Sequence, residues 1–170
     1  MRARLITFIC CIFFSSVALG GGGGSSSGGG GGGGGGSMVF TGTDVLTLSA
    51  PGVASQTFRI PITITVSGNM VTITDGIDTG TAPLNANGTD FIVPVKFSFS
   101  ESGVTCRAEI IHSGKISGNN INGTISGRTP CSGGGISFTI TSSGCATKTD
   151  AARAPVGPSF EDALRQRVGN

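Results

Sequence analysis

Two stretches of this chain set Ser-Gly-Asn between runs in which apolar and polar residues alternate: TITVSGNMVTIT (Thr63 to Thr74) and GKISGNNINGTISG (Gly114 to Gly127). Alternation with a period of two marks a strand with one buried and one wet face. Gly followed by Asn suits the two central positions of a type II′ hairpin, which needs positive φ at the first. With Gly68-Asn69 as a turn centre, Val66 lies opposite Val71 and Ile64 opposite Ile73, while Thr65 faces Thr72 and Thr63 faces Thr74 on the other side. Extended backwards, Ile62, Ile60 and Phe58 join the apolar face. A slip of one residue would turn the whole apolar set to water, so the pattern specifies a register as well as a turn.

The same rule at Gly118-Asn119 sets Ile116 against Ile121, Gly114 against Gly123, His112 against Ile125 and Cys106 against Cys131. On the outer face Lys115 meets Asn122, Ser113 meets Thr124 and Glu109 meets Arg128. A third tight turn at Ser102-Gly103 puts Phe99 opposite Cys106, Phe97 opposite Ala108, Val95 opposite Ile110, Val93 opposite His112 and, outside, Lys96 opposite Glu109. Glu109 then stands between Lys96 and Arg128 in an exposed ladder worth about 1 kcal/mol, whose main effect is on register. A turn at Gly133-Gly134 sets Cys131, Thr129 and Gly127 against Ile136, Phe138 and Ile140, and DVLTLSA (Asp44 to Ala50) supplies another strand.

These elements predict an all-β domain over residues 38–150: an antiparallel up-and-down meander of seven to eight strands. The expected form is a small barrel, with a two-sheet sandwich as the alternative. Inward glycines at 114, 123 and 127 favour the barrel, since tight curvature or a cavity uses such sites. Residues 151–170 read as a Pro/Ala linker and a short amphipathic helix. Ser159 caps it with Asp162 three residues on, Phe160, Leu164 and Val168 form its apolar stripe, and Glu161 pairs with Arg165. So short a helix needs a surface to dock on.

Ahead of the domain, MRARLITFICCIFFSSVALG has the basic start, apolar middle and small-residue exit of a secretory signal over residues 1–20. Residues 20–37 follow as a Gly/Ser tether, whose seventeen residues 20 to 36 would reach roughly 20 to 25 Å as a random coil. Eleven Lys plus Arg oppose nine Asp plus Glu, and loss of Arg2 and Arg4 with the signal leaves no net charge. Nucleic acid is therefore not an expected partner, and a membrane is one only if the signal is retained or lipidated. This leader and tract, with the GTISG...C...FTIT strands (Gly123 to Thr141), resemble exported β-domain proteins and lipoproteins of Gram-negative bacteria, many of unknown function. The resemblance implies export to the periplasm, outer surface or medium. The chain departs from the lipoprotein pattern, with Gly20 and Gly21 where a Cys should follow the apolar run and Cys10 and Cys11 placed too early.

The candidate chemistry is sparse. IDTGTA (Ile77 to Ala82) and TISGR (Thr124 to Arg128) resemble segments of single-domain aspartic proteases, in which two such aspartates share a proton to activate water. Here the residues before Asp78 are polar, and a loop is the plainer reading. Asp75, Asp78, Asn85, Asn87 and Asp90 offer oxygen ligands for Ca²⁺ at a spacing that fits no EF-hand loop, so turn formation is expected of them instead. His112 is the only histidine. Without a second histidine or a fitting carboxylate it builds neither a metal site nor a catalytic triad. No metal, cofactor or catalytic residue is expected.

The resulting expectation is a non-enzymatic binding protein. It would take a small apolar ligand inside the barrel, at His112, Gly114, Gly123 and Ile125, or an envelope partner. A structural or assembly subunit of the cell surface is the second reading, and an aspartic protease the remote one.

Export leaves Cys106, Cys131 and Cys145 in an oxidising compartment. The register places Cys106 and Cys131 at a non-hydrogen-bonded pair with Cα atoms about 4.5 Å apart, within disulfide range; bridges from either to Cys145 are the alternatives. Closing that loop stabilises by roughly 3 kcal/mol in the chain-entropy model. Peptide mapping under non-reducing conditions should yield a peptide joining Cys106 to Cys131; one joining Cys131 to Cys145 would overturn the register argument.

Overall fold

The computed structural model describes residues 36–132, 137–149 and 155–168, with the side chains of 137–145 excepted. The leader, nearly all of the tether and the Gly133-Gly134 turn lie outside the described residues. Eight antiparallel strands are present: β1 (Met38–Ala50), β2 (Val53–Ser67), β3 (Met70–Thr74), β4 (Thr79–Pro83), β5 (Asp90–Glu101), β6 (Val104–Ser117), β7 (Asn120–Ser132) and β8 (Ser137–Thr149). They form one sheet in the order β4-β3-β2-β1-β8-β7-β6-β5, so the sandwich alternative falls away. Every ladder but one joins sequence neighbours, and the exception is β1 with β8, which pair in the middle of the sheet.

The turns produce the expected register. Gly68 and Gly118 have φ of 59° and 58°, as the first position of a type II′ turn requires. Val66 pairs with Val71, His112 with Ile125 and Cys106 with Cys131. Ser102 and Gly103 both have positive φ, at 50° and 80°, which is the type I′ form. Cys106 and Cys131 form a disulfide across β6 and β7, with Cα atoms 4.0 Å apart. Cys145 lies in β8 at the register of Thr43 and Asn122.

β4 is a departure from expectation. Its residues Thr79 to Pro83 lie inside the segment read as an Asp/Asn-rich loop. Thr79 and Thr81 suit a strand, but Gly80, Ala82 and Pro83 do not, and β3 templates the strand from Met70↔Pro83 to Thr74↔Thr79.

The sheet is not closed by a ladder. Its edge strands β4 and β5 meet at a single bridge, Leu84 with Phe91, and pack so closely that a Cβ on Gly80 would lie 2.4 Å from the Pro94 carbonyl oxygen. In an antiparallel ladder each residue bonds to one neighbour strand only, alternating along the chain. The hairpin registers turn the odd-numbered residues of β4 and the even-numbered residues of β5 toward this seam. Pro83 and Pro94 occupy two of those positions, and neither has an N–H to give. The seam is therefore packed rather than zipped.

β3 and β4 are only five residues long each, so β2 and β5 run on past them with free edges. Helix α1 (Phe160–Val168) is held to both strands. Arg167 Nη2 donates to the Ala54 carbonyl of β2 at 2.7 Å, and Arg165 Nη1 to the Ser100 carbonyl of β5 at 2.6 Å. The expected cap is present: Asp162 N–H donates to Ser159 Oγ at 3.0 Å, and Ser159 N–H to Asp162 Oδ2 at 2.9 Å. Arg165 Nε also donates to Glu161 Oε1 at 2.7 Å, and its guanidinium lies 5.3 Å from the centre of the Phe99 ring. The helix N-terminus is satisfied from outside as well, because Phe160 N–H donates to Asp75 Oδ2 at the β3–β4 tip, 2.7 Å away.

Phe160, Ala163 and Leu164 are buried against a core that includes Phe40, Leu46, Ile60, Val93, Val95 and Ile110, with Val168 partly buried beside them. Phe160→Ala should lower the unfolding free energy by about 3–5 kcal/mol in chemical denaturation. Arg165→Ala, at a partly exposed ion pair, should lower it much less than Phe160→Ala in the same measurement.

Candidate functional site

The four inward residues expected to receive a ligand do converge, in a nearly filled interior. His112 and Ile125 are each 4% exposed and lie opposite one another on β6 and β7. Gly114 is not an open position: a Cβ there would sit 2.3 Å from Cζ of Phe91, whose ring occupies the space. Gly123 lets β7 approach β6, since its Cβ would stand 2.8 Å from the Ser113 carbonyl oxygen. The cavity left between Ile62, Ile64, Phe91, His112, Gly123 and Ile125 is about 20 Å³, close to the room of one water molecule. Ligand pockets are usually larger than about 300 Å³.

A carboxylate joins them that sequence reasoning missed. Asp44 of β1 is 2% exposed, lines the same cavity, and places Oδ2 3.7 Å from His112 Nδ1. The signal was the alternation of Phe40, Gly42, Asp44, Leu46 and Leu48, which puts Asp44 in phase with apolar neighbours; it was hidden because the strand was read as beginning at Asp44. Burial pushes the Asp44 carboxyl up to about 7 and the His112 imidazole down to about 4, because each loses hydration of its charged form. Asp44 Oδ2 and His112 Nε2 are buried with no hydrogen-bond partner among the described residues. The Phe160 ring meets the imidazole edge-on, with centroids 5.4 Å apart. An aspartate beside a histidine is chemically capable of base catalysis, yet this pair lies inside the core, out of reach of a substrate.

A broad concavity lies on the outer face of β5, β6 and β7. It has a volume of about 880 Å³ and is lined by Lys96, Ser98, Arg107, Glu109, Ile111, Arg128 and Pro130 among others. It lies over a break in the β6–β7 ladder, which pairs Cys106 with Cys131 and resumes only at Glu109 with Arg128. The register would set Pro130 opposite Arg107 at a hydrogen-bonded position, and proline has no N–H to donate there. Lys96 Nζ is 3.0 Å from Glu109 Oε1, with both side chains more than half exposed, so the pair contributes little to stability. The expected three-residue ladder is thus a pair: Arg128 lies opposite Glu109, but no ion pair joins them among the described residues. Arg107, beside them on β6, completes a cluster of three cations around one carboxylate, which a balanced net charge does not reveal.

The remaining candidates have structural surroundings. Asp75 Oδ1 accepts the N–H groups of Ile77 and Asp78 at 3.0 and 2.8 Å, and its Oδ2 holds the helix. Asn87 Oδ1 accepts from Thr89 and Asp90 N–H groups, an Asx turn. Asp78, of the Asp-Thr-Gly segment, sits in the β3–β4 turn. Burial, then Asp75, Glu161 and Asp162, raises its carboxyl to about 6. Among the described residues no three His, Cys, Asp or Glu side chains are grouped to hold a metal ion, and no helix is long and apolar enough to cross a membrane.

The two buried groups drive stability in opposite directions with pH. Asp44, raised, contributes stability below its unfolded value near 3.8 and loses it as pH climbs toward 7. His112, lowered, contributes above 6.5 and loses it as pH falls toward 4. Between about 4 and 6.5 the slopes largely cancel, each near 1.4 kcal/mol per pH unit at full strength. Relative to the wild type, Asp44→Asn should therefore gain stability with rising pH and His112→Gln with falling pH, in urea unfolding between pH 4 and 7. Parallel curves for both variants would refute the assignment. Comparison of the chain with protein-family models, curated proteins and solved structures finds no match.

Proposed function

We propose that this is an exported, non-enzymatic β-barrel binding protein that acts through its outer surface on a protein partner of the cell envelope. The observation that carries this reading is the contrast in available space: about 20 Å³ remains beside His112, against about 880 Å³ on the outer face of β5–β7. An apolar ligand inside the barrel would have to displace packed side chains. The Cys106–Cys131 disulfide is compatible with an oxidising compartment, and the tether expected over residues 20–37 would let the domain search around a fixed point. Assembly by strand addition is less favoured, because the two edge strands face each other across the proline-bearing seam.

A photo-crosslinking amino acid introduced at Ser98, within the groove, should capture a discrete envelope protein in cells. The same probe at exposed Thr57 on β2 should not, and Arg107→Glu should abolish the product from Ser98. Equal products from both positions, or a stoichiometric small molecule retained by the purified protein in native mass spectrometry, would overturn the reading.

A further inference from the structure

The charges of the groove are arranged in rows, and the rows suggest what the partner presents. Along the outer face of β5–β7, Ser98 and Arg107 share one row with Pro130. The next row holds Lys96, Glu109 and Arg128, and the third holds Ile111 opposite Ser126. The first two rows each carry one net positive charge, and the third is uncharged and partly apolar. Successive rows on one face of a strand are two residues apart, roughly 6.6–6.8 Å, which is also the spacing of same-face side chains in an extended peptide.

Resting on the proposed function, we propose that the groove binds an extended peptide segment of the partner with the pattern acid-x-acid-x-apolar. The first acidic side chain meets Arg107, the second meets Arg128 and the apolar one covers Ile111. Arg107 and Arg128 are exposed and carry no ion pair among the described residues, so both guanidinium groups are free to take a carboxylate. Nucleic acid fits less well. Glu109 lies at the centre of the cluster, where it opposes a phosphate backbone, and the chain has neither Trp nor Tyr for base stacking. A membrane surface fits less well because the charges line a concavity rather than a protruding face.

The test is fluorescence anisotropy with a labelled peptide carrying two aspartates two residues apart and a leucine two further on, with serine spacers. Binding should weaken at high salt, and about threefold or more in each of Arg107→Gln and Arg128→Gln, which are exposed and should keep the wild-type melting temperature. A peptide with lysines in place of the aspartates should not bind, and one with the aspartates adjacent should bind more weakly. Equal binding of the aspartate and lysine peptides, or binding of none, would overturn the proposal. So would arginine-dependent binding of single-stranded DNA or phosphatidylglycerol vesicles in place of the peptide. If the peptides fail while the Ser98 crosslink remains specific, the partner-binding reading stands and only the acidic class is lost.

Discussion

A β-ladder needs an N–H at every second residue of each strand, and the places where this chain withholds one shape the molecule. Pro83 and Pro94 face the seam between β4 and β5, which stays packed and unzipped. Pro61 stands just beyond Thr63, where the β2–β3 ladder stops. Pro130 falls in the interior of β7, where proline is rarely tolerated, and the β6–β7 pairing is interrupted around it. The Cys106–Cys131 bridge sits directly beside that interruption, holding by a covalent bond a hairpin end that hydrogen bonds hold less well.

The short β3–β4 hairpin leaves a gap in the wall, and the helix occupies it. This explains why nine helical residues, too few to be stable alone, are ordered. Their apolar face completes the core, their arginines bond carbonyls of β2 and β5, and Asp75 satisfies the N-terminus. The helix also seals the interior above His112 through Phe160. Burial favours the uncharged form of both Asp44 and His112: the imidazole releases its proton at little cost near neutral pH, whereas the carboxyl holds its proton at a cost that grows as pH rises above its unfolded value.

Much of this was legible in the residue order. The hairpin turns, the pairings of β2 with β3, β5 with β6 and β6 with β7, the disulfide, the inward His112 and the Ser159–Asp162 cap all follow from local rules with a period of two or a fixed offset. β4 was not legible, because a strand of Thr, Gly, Ala and Pro carries no pattern until β3 templates it. Asp44 was missed because the strand was started at that residue, although Phe40 and Leu46 lie in phase with it. The glycine at 114 was read as a hint of hollowness, and its actual neighbour, the ring of Phe91, comes from a different strand.

The sequence by itself determined the strands that pair as hairpins, their register and the side chains that face inward, because turn chemistry and alternation act over a few residues. Only the tertiary structure decided how the sheet wraps: that β1 joins β8, that β4 and β5 meet at a packed seam, and that the helix closes the gap beside them. It also decided that the interior is full and that Lys96, Arg107 and Arg128 gather over one groove. Those outcomes depend on contacts between distant segments, where volume and backbone hydrogen bonding must be satisfied across the whole sheet at once, and no local pattern encodes that sum.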